Sequence, residues 1–508
     1  MNAVILALDI GTGSARAALV EHNGTIQALV QQEYDQNTPR QGWSEQQPKL
    51  WWDSICSCIS QLKLLHSEIF SRIEVIASCG QMHAPVLLDS NGQLLNEYAQ
   101  LWNDKRCQQQ VSKFKGSNDW QSLLSKTANP PTTAWPAFKL KWIQEHETQL
   151  WANTAKVLMP KDYINFCLCG EIATDHSEAS CFYLMDAYSQ QWDLELLELF
   201  SIKAQQLPPI VESHTIIGYT QAAVTHTGLP IGIPVIAGAA DMVATLIGSG
   251  VCSPGQASDS TGTSTLLTVL GSQANTANPL LNNVLINQHV WGNFSILDAG
   301  GDAMRWARLA FHDNQKSYQE MLTTARDSAL GSSQLMFLPY LSGERTNAAS
   351  RSRAQFFGLS RNHRAADLYR SILEGVAMAA QRNLQLMRKQ DHSPVTQVIA
   401  SGGGAKDRFW LEIKASIYDL PIVKPECEEN GILGCCILGA LAINKYYSLQ
   451  EACARVVHYS EQVLPDPKMR DYYAHAQVLF DQLYTQSQQH YLSLDKLAVL
   501  ASSTQKTS

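Results

Sequence analysis

The chain has 508 residues, 45% of them apolar and 17% charged, with a formal net charge of −8. That length exceeds a single ordinary core and predicts two domains of roughly 250 residues each; the acidic balance gives no reason to expect nucleic acid or an acidic membrane as a partner. Twelve cysteines follow neither zinc-site nor secreted-scaffold spacing, so buried thiols in a reducing compartment are expected. The apolar start, Met1 to Leu8, is too short for a secretory leader, and the run Ile432–Ile443 is too short to span a membrane. A cytoplasmic protein is expected.

In chain order, an apolar strand over Val4–Leu8 leads into Asp9-Ile10-Gly11-Thr12-Gly13-Ser14. A second β-like run, Ala15–Val20, follows, and the Asn23-Gly24 pair predicts a type I′ hairpin turn. A similar unit over Ala84–Gln93 closes at Asn91-Gly92. Helical patterns occupy Pro48–Leu62, Asp367–Lys389, Asp407–Tyr418 and Ile432–Asn444. A distant echo of the first turn, Asp259-Ser260-Thr261-Gly262-Thr263-Ser264-Thr265, leads into the β-like run Leu266–Leu270. Strands alternating with helices predict layered α/β architecture. The polar tail, 491–508, is expected to fray.

Several turns carry candidate chemistry. In Asp9–Ser14 the glycines Gly11 and Gly13 let backbone N–H groups approach phosphate oxygens, and the hydroxyls of Thr12 and Ser14 add donors. Asp9, at a strand end, is placed to hold Mg²⁺ through water, and Arg16 can neutralise phosphate charge. An ordinary hairpin rich in turn formers reads the same way. Asp259–Thr265, with Gly262 and Thr263, is a second candidate phosphate loop. Ser401-Gly402-Gly403-Gly404-Ala405, between a strand over Thr396–Ala400 and a helix, lets a nucleotide lie against bare backbone or serves as a tight packing turn. Asp241, after the small residues Ala237-Gly238-Ala239-Ala240, suits a general base, or a helix N-cap. Gln81, Met82 and His83 at a strand end can line a sugar pocket, against the alternative of a satisfied core histidine. Trp102, Asp104 and Arg106 offer an aromatic platform and polar groups for a sugar, or a solvated loop around one buried Trp.

In number and order these stretches resemble the FGGY carbohydrate kinase family over about residues 4 to 445, most of all its xylulokinases. Gly42-Trp43-Ser44-Glu45-Gln46, Gly80-Gln81-Met82-His83 and Leu101-Trp102-Asn103-Asp104-Lys105-Arg106 carry the likeness early in the chain. Lys139-Leu140-Lys141-Trp142, Pro160-Lys161-Asp162-Tyr163, Gly170 to Asp175 with Ala179-Ser180, Leu338 to Arg345, and Gly402 to Ala405 carry it further. The resemblance implies an α/β protein of two actin-like (ribonuclease-H-type) ATPase domains around a central cleft. Residues 1–250 would form the sugar-binding domain, 251–490 the nucleotide-binding domain and 491–508 the polar tail.

By the same likeness Asp241 matches the catalytic and substrate-side aspartate, and Asp9 with Asp241 the metal side. Gln81, Met82, His83, Trp102, Asp104 and Arg106 fall on the sugar side. Gly11, Thr12, Gly13, Ser14, Arg16, Gly262, Thr263, Gly301, Arg305, Gly403 and Gly404 fall on the nucleotide side. ATP and Mg²⁺ are the implied cofactors. The implied partner is a small sugar, with no nucleic acid and no membrane, and a homodimer is compatible. The expected reaction is phosphorylation of D-xylulose to xylulose 5-phosphate. Alternatives are another ketose or polyol (ribulose, a tetrulose, a signalling furanone) and a non-catalytic ATP-binding sensor; retention of both Asp9 and Asp241 argues against the sensor. Met242, where Asn is usual, and Ala84, where Gly is usual, bear on which sugar is taken.

Overall fold

The computed structural model describes residues 3–117, 120–344, 351–388 and 394–505. Met1, Asn2, Arg345, Lys389 and Lys506–Ser508, which the sequence motifs include, lie outside them. The chain forms two compact units that are discontinuous in sequence. The first runs to Pro254 and takes in Leu270–Asn293 and Glu429–His458; the second comprises Gly255–Val269, Phe294–Glu428 and the chain from Tyr459.

The first unit is built on a sheet in the order Ile26–Glu33, Ser14–Glu21, Val4–Ile10, Ile73–Gly80, Pro234–Ile236, Ile216–Tyr219. Its first three strands form an antiparallel meander, while Ile73–Gly80 runs parallel to Val4–Ile10 on one side and to Pro234–Ile236 on the other. The central strands are near-continuous apolar runs because both of their faces are covered. Strand alternation aims Leu6, Leu8 and Ile10 into the core shared with Trp51, Ile55 and Ile59 of the helix Pro48–Leu65. The opposite face, which carries Ile5 and Asp9, meets the helix Asn430–Ala442.

That helix crosses the helix Asp241–Gly248 with backbones touching: a Cβ on Gly434 would lie 2.0 Å from the Ala244 oxygen. The crossing fixes the helix that opens with Asp241.

The two predicted hairpin turns form, with a different geometry. Gly24 donates to the Glu21 oxygen at 2.9 Å with φ 90°, and Gly92 to the Asp89 oxygen at 3.1 Å with φ 78°. Neither Asn23 nor Asn91 has positive φ, which type I′ requires at both central positions. Each is a wider turn closed by one left-handed glycine.

In the second unit Gln256–Thr261 pairs antiparallel with Thr265–Gly271 and parallel with Gln397–Ser401, which lies parallel to Ile422–Pro425; Tyr459–Val463 closes that side antiparallel. The helices Ala365–Arg388, Arg408–Tyr418 and Pro467–Gln505 pack together beside it. The last of these replaces the frayed tail expected from residue 491. Phe480, Tyr484 and Tyr491 recur at helical spacing and are buried, so the helix is anchored before and at the start of the polar stretch and continues from there to Gln505.

The twelve cysteines form no disulfide, and nine of them are buried. Among the described residues no helix is long and apolar enough to cross a membrane.

Candidate active site

Three parallel segments of the first unit end side by side. In register, Asp9 lies next to Cys79, and Cys79 next to Ala239; Ile10 lies next to Gly80, and Gly80 next to Ala240. Strand ends of a parallel sheet leave a crevice where chain connections diverge. Asp9 and Asp241 therefore stand on either side of the central strand's end.

A turn sets the second carboxylate. Gly238 has φ 73°, and a Cβ there would fall 1.9 Å from the Ser78 oxygen, so only glycine lets the chain kink against its neighbour before Ala239. Asp241 is not an N-cap: Ala240 holds that position, and Asp241 is the first helical residue, its Oδ1 accepting from the Met242 N–H at 2.6 Å. Burial first, then the Asp9 charge, pushes the Asp241 carboxyl up to about 7. That value suits a group that must accept a proton near neutral pH.

Asp9 is also raised, by burial, against the opposing Arg16 guanidinium and the Cys79 thiol. Cys79 Sγ donates to Asp9 Oδ1 at 3.5 Å, and Arg16 Nη1 stands 3.8 Å from Oδ2. Arg16 is drawn more tightly by Glu429, at 2.9 Å, a residue 413 positions away that lies in none of the motifs above. Among the described residues no cluster of three or more His, Cys, Asp or Glu side chains could chelate a metal. Two mutually repelling carboxylates nonetheless fit Mg²⁺, which keeps most of its water and takes one or two carboxylates from protein.

The turn after Asp9 is held by a chain of side chains. Gly11 donates to the Ser14 oxygen at 2.9 Å, and Tyr34 OH donates to the Gly11 oxygen at 2.7 Å. Gln46 Nε2 donates to the Thr12 oxygen at 2.7 Å, and its Oε1 accepts from Gln81 Nε2 at 2.9 Å and Trp51 Nε1 at 3.0 Å. Trp102 Nε1 reaches Thr12 Oγ1 at 3.2 Å. The turn, Gln81 and Trp102 are thus brought together, and buried Gln46, inside a motif noted for its resemblance alone, is the hub.

His83 follows Gln81 and Met82 and adopts φ 70°, a left-handed conformation costly for a side-chain-bearing residue and frequent at functional sites. Its ring meets Trp135 edge-on at 5.1 Å. Burial and the Lys139 ammonium push the imidazole down to about 3, against a backbone contact at Cys181, so the ring is neutral. Its Nδ1 has no hydrogen-bond partner. Lys139, fully buried, donates to the His83 oxygen at 2.7 Å and the Leu101 oxygen at 2.6 Å, joining the His83 and Trp102 segments.

Asp104 and Arg106 behave otherwise. Asp104 is fully buried and accepts from the Ser44 N–H at 2.7 Å and from Arg106 Nε and Nη2 at 2.9 and 2.7 Å. Arg106 also pairs with Glu45 and lies 3.7 Å over the Trp43 ring. Their polar groups face each other.

The nucleotide-side candidates of the second unit converge on one backbone cradle. Gly301 donates to the Gly262 oxygen at 2.8 Å and Asp302 to the Thr263 oxygen at 3.1 Å, so the loop closes on the start of the helix Gly301–His312. A Cβ on Gly404 would lie 2.6 Å from Thr261 Cγ2, which shows how closely the glycine turn approaches the same loop. Nothing lies within 4 Å of a Cβ placed on Gly262 or Gly403, so that side of the cradle is open. Arg305 is largely exposed and folds back on Asp302.

Residues 4–248 match the N-terminal domain, and residues 257–443 the C-terminal domain, of the FGGY family of carbohydrate kinases. Xylulose kinase of Bacillus subtilis (strain 168) is 30% identical over 95% of this chain and 96% of its own. Among solved structures, gluconate kinase from Lactobacillus acidophilus superposes with a TM-score of 0.90 at 26% identity, over 97% of this chain and 99% of that one. Ligand-bound xylulose kinase from the same organism does so with a TM-score of 0.90 at 25% identity and the same coverage. The chain belongs to the FGGY family of carbohydrate kinases: it is a sugar phosphotransferase of the kinase class, and its two sheet-bearing units have the actin-like ATPase fold.

Proposed function

We propose that the protein transfers the γ-phosphoryl group of ATP to a hydroxyl of D-xylulose, giving xylulose 5-phosphate. The observation that carries the reading is the pair of strand-end carboxylates, with Asp241 raised to about 7 by burial and by Asp9. Phosphoryl transfer passes through a loose transition state, so the protein chiefly positions groups and balances charge. Asp241 accepts the proton of the attacking hydroxyl. Asp9 and Asp241 would hold Mg²⁺ through water, and that ion would neutralise charge on the phosphates. The Gly262, Gly301 and Gly404 cradle is assigned to the nucleotide, and Arg16 and the Gly11–Ser14 turn to phosphate. Residues 1–250 are assigned to the sugar and 251–490 to the nucleotide. Gln81, Met82, His83 and Trp102 are assigned to the sugar directly, and Asp104 and Arg106 to the scaffold beneath them.

His83 supports a hydroxyl-bearing substrate: a neutral imidazole with an unfilled nitrogen can pair with a sugar hydroxyl, and a site built for such a bond rejects ligands that present no hydroxyl there. The likeness to a gluconate kinase at the same TM-score makes gluconate the competitor to exclude. The test is kcat/KM across D-xylulose, D-ribulose, L-xylulose, erythrulose, gluconate and glycerol, with ADP release as readout. D-Xylulose is expected to lead; gluconate or glycerol in first place would overturn the substrate while leaving the kinase class intact.

A further inference from the structure

Two stretches of the sequence, Pro160–Tyr163 and Gly170–Ser180, have no part in the reading above. Both converge behind Asp241. Lys161, at the start of the helix Pro160–Cys169, is fully buried, and its Nζ stands 2.5 Å from Asp162 Oδ1 and 3.0 Å from Asp175 Oδ1. The other oxygen of Asp175, also fully buried, accepts from Ser177 Oγ at 2.6 Å, Ser177 N at 2.9 Å and Ser213 Oγ at 2.9 Å. Ser177 Oγ in turn accepts the Ala240 N–H at 2.8 Å. Ala240 is the residue before Asp241 and the N-cap of its helix.

The direction of this chain is set by its backbone donor. The Ala240 N–H can only donate, so Ser177 Oγ accepts it, and the hydroxyl proton of Ser177 is directed at Asp175 Oδ2. A second tie comes from the same helix: Asn165 Oδ1 accepts from Ser78 Oγ at 2.6 Å, and its Nδ2 donates to the Ala237 oxygen at 2.9 Å. The strand before Asp241 and the central strand are thus held from one helix. The backbone of Lys161 presses on Gly80, 3.2 Å from where a Cβ would lie, and Gly80 is the in-register neighbour of Ala240.

We propose that Ser177, oriented by Asp175 and Lys161, is a positioning residue for the phosphoryl-transfer step: it fixes the peptide that carries Asp241 so that the carboxylate meets the attacking hydroxyl. This rests on the assignment of Asp241 as base. Ser177 touches no reacting atom, and its effect passes through Asp241. A small misplacement of a catalytic group is costly, since proximity and alignment supply much of the rate.

The test is a double-mutant cycle on the full-length enzyme with D-xylulose and Mg²⁺-ATP. Ser177→Ala is expected to lower kcat roughly ten- to a hundredfold with the KM for ATP held within about twofold, and Ser177→Thr, which keeps the hydroxyl, to restore most of the loss. In an Asp241→Asn background Ser177→Ala is expected to change kcat little, because the group it positions is already gone. Equal losses in both backgrounds, no loss in the single variant, or failure of Ser177→Thr to recover activity would each overturn the proposal. Wild-type turnover in Asp241→Asn alone would instead sink the base assignment on which it stands.

Discussion

Two hairpin turns of similar composition, one in each unit, put their aspartates to opposite uses. Asp9 lies one residue before the last paired position of its strand, where Ile10 faces Ala15; Asp259 lies two residues before the corresponding position, where Thr261 faces Thr265. A one-residue offset in a strand turns a side chain to the other face of the sheet. Asp9 is left with a thiol at 3.5 Å and a guanidinium at 3.8 Å. Asp259 is fully buried and saturated by Lys414 Nζ at 3.0 and 2.8 Å, Thr261 Oγ1 at 2.6 Å and Tyr418 OH at 2.8 Å. The same Asp/Gly/Thr/Ser vocabulary gives one carboxylate with only long contacts, the one proposed to face a cation, and another locked as scaffold for a backbone cradle.

The sharpest way to break this contrast is at the reacting carboxylate. Asp241→Asn is expected to lower kcat by about 10²–10⁴ while leaving sugar and ATP binding nearly intact; wild-type turnover would remove Asp241 from the chemistry. The pH profile follows from its value of about 7. If Asp241 is the base proposed above, its ionised form is the active one, so kcat/KM should fall as pH drops through about 7. His83, down at about 3, stays neutral throughout and adds no limb. Stability runs with a definite sign. Between the ordinary carboxyl value of 3.8 and about 7 the folded protein keeps a proton that the unfolded chain has released, so this group's contribution falls as pH rises across that window. Urea unfolding of wild type and Asp241→Asn at pH 5 and pH 8 should show the difference shrinking in the variant.

On the other side of the contrast, Asp259→Ala should act on the fold. It leaves the Lys414 ammonium buried with its main partner gone, a defect of about 3–5 kcal/mol. The unfolding midpoint should drop clearly. An unchanged midpoint with lost turnover would mean that Asp259 belongs to the chemistry and that the two turns are alike after all. Asp9→Ala carries a smaller effect on turnover at saturating metal. Titrating Mg²⁺ and ATP separately should show roughly a tenfold weaker metal dependence and unaltered sugar binding; an unchanged Mg²⁺ curve would reduce Asp9 to a turn residue.

What the sequence revealed and what it hid divide along the range of the interaction. Glycine turns, apolar strands and long helices are local, so the strand ends that carry Asp9 and Asp241 were readable within a residue or two. The turn type at Asn23-Gly24 was not, because one left-handed residue and two differ only in φ. The mutual engagement of Asp104 and Arg106, and the pairing of Arg16 with Glu429, depend on partners brought in by folding, which composition alone does not show. The Lys161–Asp175–Ser177 chain joins two segments to Ala240, which lies 63 residues from Ser177, and no spacing rule announces it.

The smallest expected effect sharpens the sugar side. His83 combines left-handed backbone, a neutral ring and an Nδ1 without a partner, and Lys139 ties its carbonyl to that of Leu101. If Nδ1 accepts a sugar hydroxyl, His83→Ala leaves that hydroxyl unpaired and weakens binding by roughly 1–3 kcal/mol. Removing the imidazole does not touch Asp241, so the loss should appear in KM for D-xylulose more than in kcat. The positive φ complicates a plain alanine, which keeps the backbone strain and loses the ring's edge contact with Trp135. His83→Asn, which tolerates the left-handed region and keeps a hydrogen-bonding side chain, is the companion variant. Partial recovery of KM in His83→Asn assigns the effect to the hydrogen bond. Equal loss in both variants assigns it to ring packing. No loss for any sugar in either variant would remove His83 from the pocket, with the phosphotransfer groups around Asp241 unaffected.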